Sequence, residues 1–144
     1  MAQKRSREDY LIVGLTGFGE NLAFALEDLG HRVLGLDKDR EVIQRLSDNL
    51  RDVISLDTTD YETMASLELE AFSTAVVALG DDLSEAVLVT LILKELGVRR
   101  VVCEAHSDRD RRVLLRVGAD EVLTPAIESA RTIAYHLTGR AART

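Results

Sequence analysis

The sequence predicts an α/β domain built on a doubly wound parallel β-sheet of about six strands, with helices on both faces. Three observations carry that expectation. Short apolar runs alternate along the chain with longer segments whose apolar residues recur every three to four positions, the periods of buried strands and amphipathic helices. The first apolar run ends in a glycine-rich turn, Gly14-Leu15-Thr16-Gly17-Phe18-Gly19, placed to open a helix. The second run ends in an acid, Asp37.

Tyr10 to Val13 reads as the first strand, and Glu20 to Leu29 as a helix with Leu22, Ala23, Leu26 and Leu29 on one stripe. Gly30 closes that helix as a left-handed cap, and His31 to Asp37 returns as the second strand. Arg40 to Leu46 is a second helix, Val53 to Leu56 a third strand, and Tyr61 to Leu67 a short helix. Thr74 to Leu79 is almost unbroken in its apolar character, as a strand covered on both faces must be. A helix over Leu83 to Leu96 stops at Gly97, and Arg100 to Glu104 supplies the fifth strand. A basic helix from Asp108 to Val117 ends at Gly118, and Glu121 to Leu123 is a brief sixth strand. Pro125, suited to a first helical turn, opens a last helix to about Leu137. Strand and helix at this spacing require right-handed crossovers and a parallel sheet, a Rossmann-type arrangement. Residues 10–138 form this domain, and residues 1–9 and 139–144 are expected to be flexible tails, being charged and poor in apolar anchors.

Composition narrows the function. At 144 residues and 46% hydrophobic the chain supports one domain with a sizeable core. A formal net charge of -7, from 25 acidic and 18 basic residues, weighs against nucleic acid as a partner. Lys4, Arg5 and Arg7, and later Arg109, Arg111, Arg112 and Arg116, read first as solvated faces. The longest apolar stretch, Ala86 to Leu93, falls short of the roughly 20 residues that span a bilayer, so direct membrane insertion is not expected. A single cysteine, Cys103, and a basic N-terminus without an apolar segment behind it fit a cytoplasmic protein.

The glycine turn and Asp37 together point to a nucleotide. Glycines are needed where a helix N-terminus is aimed at phosphate and a Cβ would collide. Counting from Gly14, the G-x-G-x-x-G pattern places glycines at 14, 16 and 19; this chain has Gly14 and Gly19, with Thr16 in the middle and Gly17 beside it. Asp37 lies 23 residues after Gly14 (37 − 14), where an acid hydrogen-bonds ribose hydroxyls, although Lys38 and Arg40 stand close by. The alternatives are a merely tight turn and an acid that merely caps the next helix.

Gly14 to Gly19, Leu36-Asp37-Lys38-Asp39, Leu56-Asp57-Thr58-Thr59-Asp60 and Val117-Gly118-Ala119-Asp120-Glu121-Val122 before Pro125 occur in the order and spacing of a known family. The chain resembles the TrkA-N, or RCK N-terminal, domains over roughly Tyr10 to Leu137. The resemblance implies a regulatory domain of a potassium channel or transporter system, cytoplasmic and peripheral to the inner face of the membrane through a partner subunit. It implies NAD or an adenine nucleotide (ADP, ATP or AMP) as ligand, with a divalent cation a further possibility. Gly14, Gly19 and Asp37 would hold pyrophosphate and ribose, with Thr16, Gly17, Phe18 and Lys38 alongside. Asp57 and Thr58 would flank the adenine, and Leu79, Gly80 and Asp81 would lie near the phosphates. Thr16 and Glu104 depart from the family, Glu104 standing where some relatives carry a basic residue. Relatives commonly continue into a smaller C-terminal lobe, so the chain is expected to be a piece of a longer protein or a single-lobe form. The last helix would cross to a neighbouring subunit in a homodimer or higher ring, presenting Ile127, Ala130, Ile133, Ala134 and Leu137.

Catalysis is not expected, because no Ser-His-Asp or Cys-His arrangement is legible and His31 and His136 fall away from the glycine turn. The alternatives are the cofactor domain of an NAD-dependent oxidoreductase and an oligomerisation domain that has lost its ligand. Asp82, Glu104 and His106 form a candidate metal site: Glu104 and His106 are two apart at the end of a strand, and Asp82 follows the neighbouring strand at the same sheet edge. In calcium-gated relatives a similar acidic segment supplies ligands, and His106 would shift preference towards a transition metal. The competing reading has Asp81 and Asp82 capping a helix and Glu104 paired with an arginine such as Arg131.

Overall fold

The computed structural model describes residues 9–140; the basic residues Lys4, Arg5 and Arg7, and most of the two tails, lie outside them. The elements run β1 (Asp9–Val13), α1 (Phe18–Asp28), β2 (Arg32–Asp37), α2 (Arg40–Leu46), β3 (Asp52–Ser55), α3 (Tyr61–Ala65), β4 (Thr74–Val77), α4 (Leu83–Glu95), β5 (Arg100–Glu104), α5 (Asp108–Val117), β6 (Glu121–Leu123) and α6 (Pro125–Leu137). Six parallel strands pair in the order β3-β2-β1-β4-β5-β6. The chain winds outward from β1 to β3, crosses back, and winds outward again from β4, so the order reverses between β1 and β4. The doubly wound sheet expected from the alternation is the one observed.

Two apolar layers cover the sheet. Ile12 and Val33 face Leu15, Ala23, Val42 and Leu46 beneath α1 and α2. Leu11, Val13, Ala75, Val77, Val101 and Cys103 face Ala86, Val89, Leu93 and Leu114 beneath α4 and α5. Alternate residues of β1 thus enter opposite layers, the period of two that a strand imposes. The Cys103 thiol sits 3.2 Å from the Thr90 hydroxyl, and burial pushes its pKa up.

Most boundaries fall within two residues of expectation. α1 starts at Phe18, earlier than Glu20, because Gly17 serves as its N-cap. α3 ends at Ala65, not Leu67, and an unexpected 3-10 turn follows at Leu69–Ala71; Glu68, with φ 54°, adopts a left-handed conformation that separates the two. α6 has none of its 13 residues buried. Ile133 is 53% exposed and Leu137 77%.

Candidate functional site

A cleft of about 620 Å³ opens at the carboxyl ends of the strands, where the strand order reverses, and the glycine turn forms one wall. Gly14 follows β1 with φ 97°, and its amide donates to the Leu36 carbonyl at 2.8 Å, tying the turn to β2. A Cβ at Gly14 would strike the Ala78 carbonyl, and one at Gly19 would strike the Gly14 carbonyl. Neither glycine lines the cleft; both let the first turn of α1 press against the ends of β1 and β4. Thr16 takes the place of the middle glycine and lines the cleft. It sits exposed at the rim without a positive φ, and Gly17, with φ 56°, supplies the left-handed residue one position later.

The amino terminus of α1 is open. Asp39, Asp82 and Ser107 each turn a side-chain oxygen back onto the first turn of α2, α4 and α5, whereas the α1 N-cap, Gly17, has no side chain to offer. Amides and helix dipole are thus left facing the cleft, an arrangement that favours an anion.

Asp37 stands beside the glycine turn, at the end of β2. Its Oδ2 accepts from the Leu15 N–H at 2.9 Å and its Oδ1 from the Asp39 N–H at 2.9 Å, so one carboxylate fixes both the glycine turn and the loop into α2. Lys38 reaches across to Glu85 at 3.4 Å. Thr16, Gly17, Phe18, Asp37, Lys38, Leu79, Gly80 and Asp81 all line the cleft. Asp57 and Thr58 do not line it. Asp57 accepts from the hydroxyl and the N–H of Thr59 at 2.6 and 3.0 Å, bonds that hold its carboxyl below the usual range, and Thr58 is buried.

The expected metal trio is not assembled. Asp82 Oδ1 accepts from the Glu85 N–H at 3.1 Å and caps α4, which commits the carboxylate to the helix. It is Asp81 whose Oδ1 lies 3.4 Å from His106 Nδ1. Among the described residues Glu104 pairs with neither Arg131 nor another arginine; its Oε2 lies 3.1 Å from His106 Nε2 and its Oε1 accepts from the Gly80 N–H at 3.3 Å. Among the described residues no group of three or more His, Cys, Asp and Glu side chains could hold a metal ion. Asp39, Asp82, Glu104 and His106 also line the cleft, and Val42, Ala78 and Glu85, which were not singled out in the sequence, complete the lining. Only the N-cap pairing of Asp82 with Glu85 three residues on carried a signal for any of them.

His31 packs edge-on against Tyr10, ring centroids 5.3 Å apart, at the opposite end of the sheet. A second hollow of about 250 Å³ lies there between Glu27, His31, Arg51 and their neighbours. On α5, Arg111 and Arg112 pair with Asp108, as a solvated helix face would.

Residues 10–125 match the TrkA-N domain model. The Ktr system potassium uptake protein C of Bacillus subtilis (strain 168) is 30% identical over 131 residues, which are 91% of this chain and 59% of that protein. The chain thus spans little more than half the length of this relative. Among solved structures, the NAD(P)-binding domain of an exopolyphosphatase-related protein from Archaeoglobus fulgidus is similar at a TM-score of 0.80 and 24% identity, over 92% of this chain and 99% of that one. The GsuK channel bound to NAD is similar at a TM-score of 0.72 and 19% identity, over 85% of this chain and 22% of that one. The same channel bound to ADP is similar at 0.78 and 18% identity, over 91% and 35%. At these identities the structural likeness establishes the fold.

Proposed function

Since the chain belongs to the TrkA-N domain family, we propose that it is a regulatory nucleotide-binding domain of a potassium uptake or channel system, one that binds NAD or an adenine nucleotide and signals to a membrane partner. The observation that carries this reading is the uncapped amino terminus of α1 facing the same cleft as the Asp37 carboxylate. Amides and acid lie side by side along the cleft, joined through the Leu15 N–H, and are matched to a phosphate and to ribose hydroxyls respectively.

In this reading the amides of Thr16, Gly17 and Phe18 take the phosphate and Asp37 the ribose, with Gly14 and Gly19 beneath them. Asp37 already accepts two backbone N–H bonds, and its carboxylate has further lone pairs for hydroxyl donors. Val42 offers the base an apolar contact on the α2 side. The acidic side chains around the cleft cap helices, hold backbone amides or pair with Lys38 and His106, which suits binding rather than turnover. Residues 10–138 act as one domain. Regulation requires a ligand whose affinity differs between two states of an assembly. α6, with its apolar stripe exposed, provides the subunit contact of a homodimer or ring, which sits at the inner face of the membrane through its partner.

Thermal denaturation with AMP, ADP, ATP, NAD+ and NADH tests the proposal. A ligand that binds only the folded domain stabilises it by about 2.7 kcal/mol at a hundred times its dissociation constant. A raised melting temperature with at least one of the five is the expected result; no shift with any of them contradicts the assignment.

A further inference from the structure

The two halves of the cleft differ in charge. On the β2 side Asp37 is bonded to backbone amides, and Lys38 balances Glu85. On the β4–β5 side Asp81, Glu104 and His106 converge in a chain of contacts, Gly80 N–H to Glu104, Glu104 to His106 and His106 to Asp81. Glu104 is only 9% exposed, at the end of β5. A Cβ at Gly80 would fall 2.5 Å from His106 Nε2 and 2.9 Å from the Glu104 carboxyl carbon, so these two side chains lie directly on the backbone of the loop after β4. Two carboxylates against at most one imidazolium leave the trio negative in either state of the ring.

The inference rests on the cleft being an adenine-nucleotide site. With the adenosine ribose on Asp37 and phosphate at α1, the remainder of a ligand crosses the switch point towards β4 and β5. In ATP that remainder is further phosphate, which the trio repels. In a nicotinamide dinucleotide it is a second nucleoside, whose ring is cationic when oxidised and neutral when reduced. We infer that Glu104, held by the Gly80 N–H and His106 and flanked by Asp81, is a specificity-determining residue that selects NAD+ over NADH and over ATP. One unit of ligand charge beside a partly solvated carboxylate pair corresponds to roughly tenfold in affinity.

Titration calorimetry with NAD+, NADH, ATP and AMP on the wild type, Glu104→Gln and Asp81→Asn tests this. Glu104→Gln removes the charge while keeping the size and an acceptor for the Gly80 N–H, and Asp81 is exposed, so Asp81→Asn reports on the charge should the buried change disturb folding. The expected result is wild-type binding about tenfold tighter for NAD+ than for NADH, with ATP weakest, and a smaller NAD+ to NADH ratio in each variant. Equal wild-type affinities for NAD+ and NADH, or a ratio that survives both substitutions, overturns the inference. AMP, which ends at its single phosphate, separates the failures: if AMP binds while the redox forms are not distinguished, only this inference falls. If none of the four ligands binds, the nucleotide site falls and this inference with it.

Discussion

Asp37 links two segments that are far apart in the chain, holding Leu15 in the glycine turn and Asp39 at the start of α2 with one carboxylate. Replacing it with alanine removes an acceptor from the ribose and loosens the wall that carries the phosphate amides. Asp37→Ala is expected to weaken AMP binding by about 1.5–3 kcal/mol, the worth of a hydrogen bond to a charged group, while the domain stays folded. Calorimetric titration checks it, and an unchanged curve removes Asp37 from the site. That an acid belongs here was legible from its place after the second strand. Its bond to Leu15 was not, because the link spans 22 residues and depends on how the turn bends. The same limit appears at Asp81 and Asp82. Two neighbouring acids before a helix do not reveal which will cap it, and the extended backbone at Asp82 turns that carboxylate onto Glu85 and leaves Asp81 to meet His106.

Elements with strong local start and stop residues were read with their ends intact. Asp39 before α2, Ser107 before α5 and Pro125 at the head of α6 mark beginnings, and Gly118 marks an end. Boundaries moved where backbone conformation away from those residues decided, at Gly17 before α1 and at Glu68 after α3. α6 is the element whose sequence and surroundings disagree most, since its apolar stripe is left largely uncovered by its own chain. Ile127 is 41% exposed, and Ile133 and Leu137 are more so. Full burial of an exposed side chain of this kind is worth about 1.5–3 kcal/mol, and a second copy can supply the part that each of these still lacks. The wild type is expected to have a dimeric or larger mass by light scattering, and Ile133→Asp to shift it towards monomer. A wild type that stays monomeric at high concentration contradicts this contact.

At the scale of the whole molecule, the alternation of elements and the right-handed crossovers were enough to expect a doubly wound parallel sheet, and the return to the centre at β4 completes it. They indicated the place of the cleft as well, because a switch point puts loops from β1, β2 and β4 around one opening. On the far side of that opening the topology brought Glu104, His106 and the acids after β4 to one sheet edge, but did not indicate which of those acids meets His106, which is Asp81. A smaller hollow beside His31 and Arg51 at the amino ends of the strands competes as a binding site with the cleft at the carboxyl ends. Amide chemical-shift mapping of the isotope-labelled protein during titration with AMP distinguishes them directly. The largest and earliest changes should fall on Leu15, Thr16, Gly17, Phe18 and Lys38, with His31 and Arg51 unmoved. Changes centred on His31 and Arg51, or no changes at saturating AMP, would contradict a nucleotide site at the glycine turn.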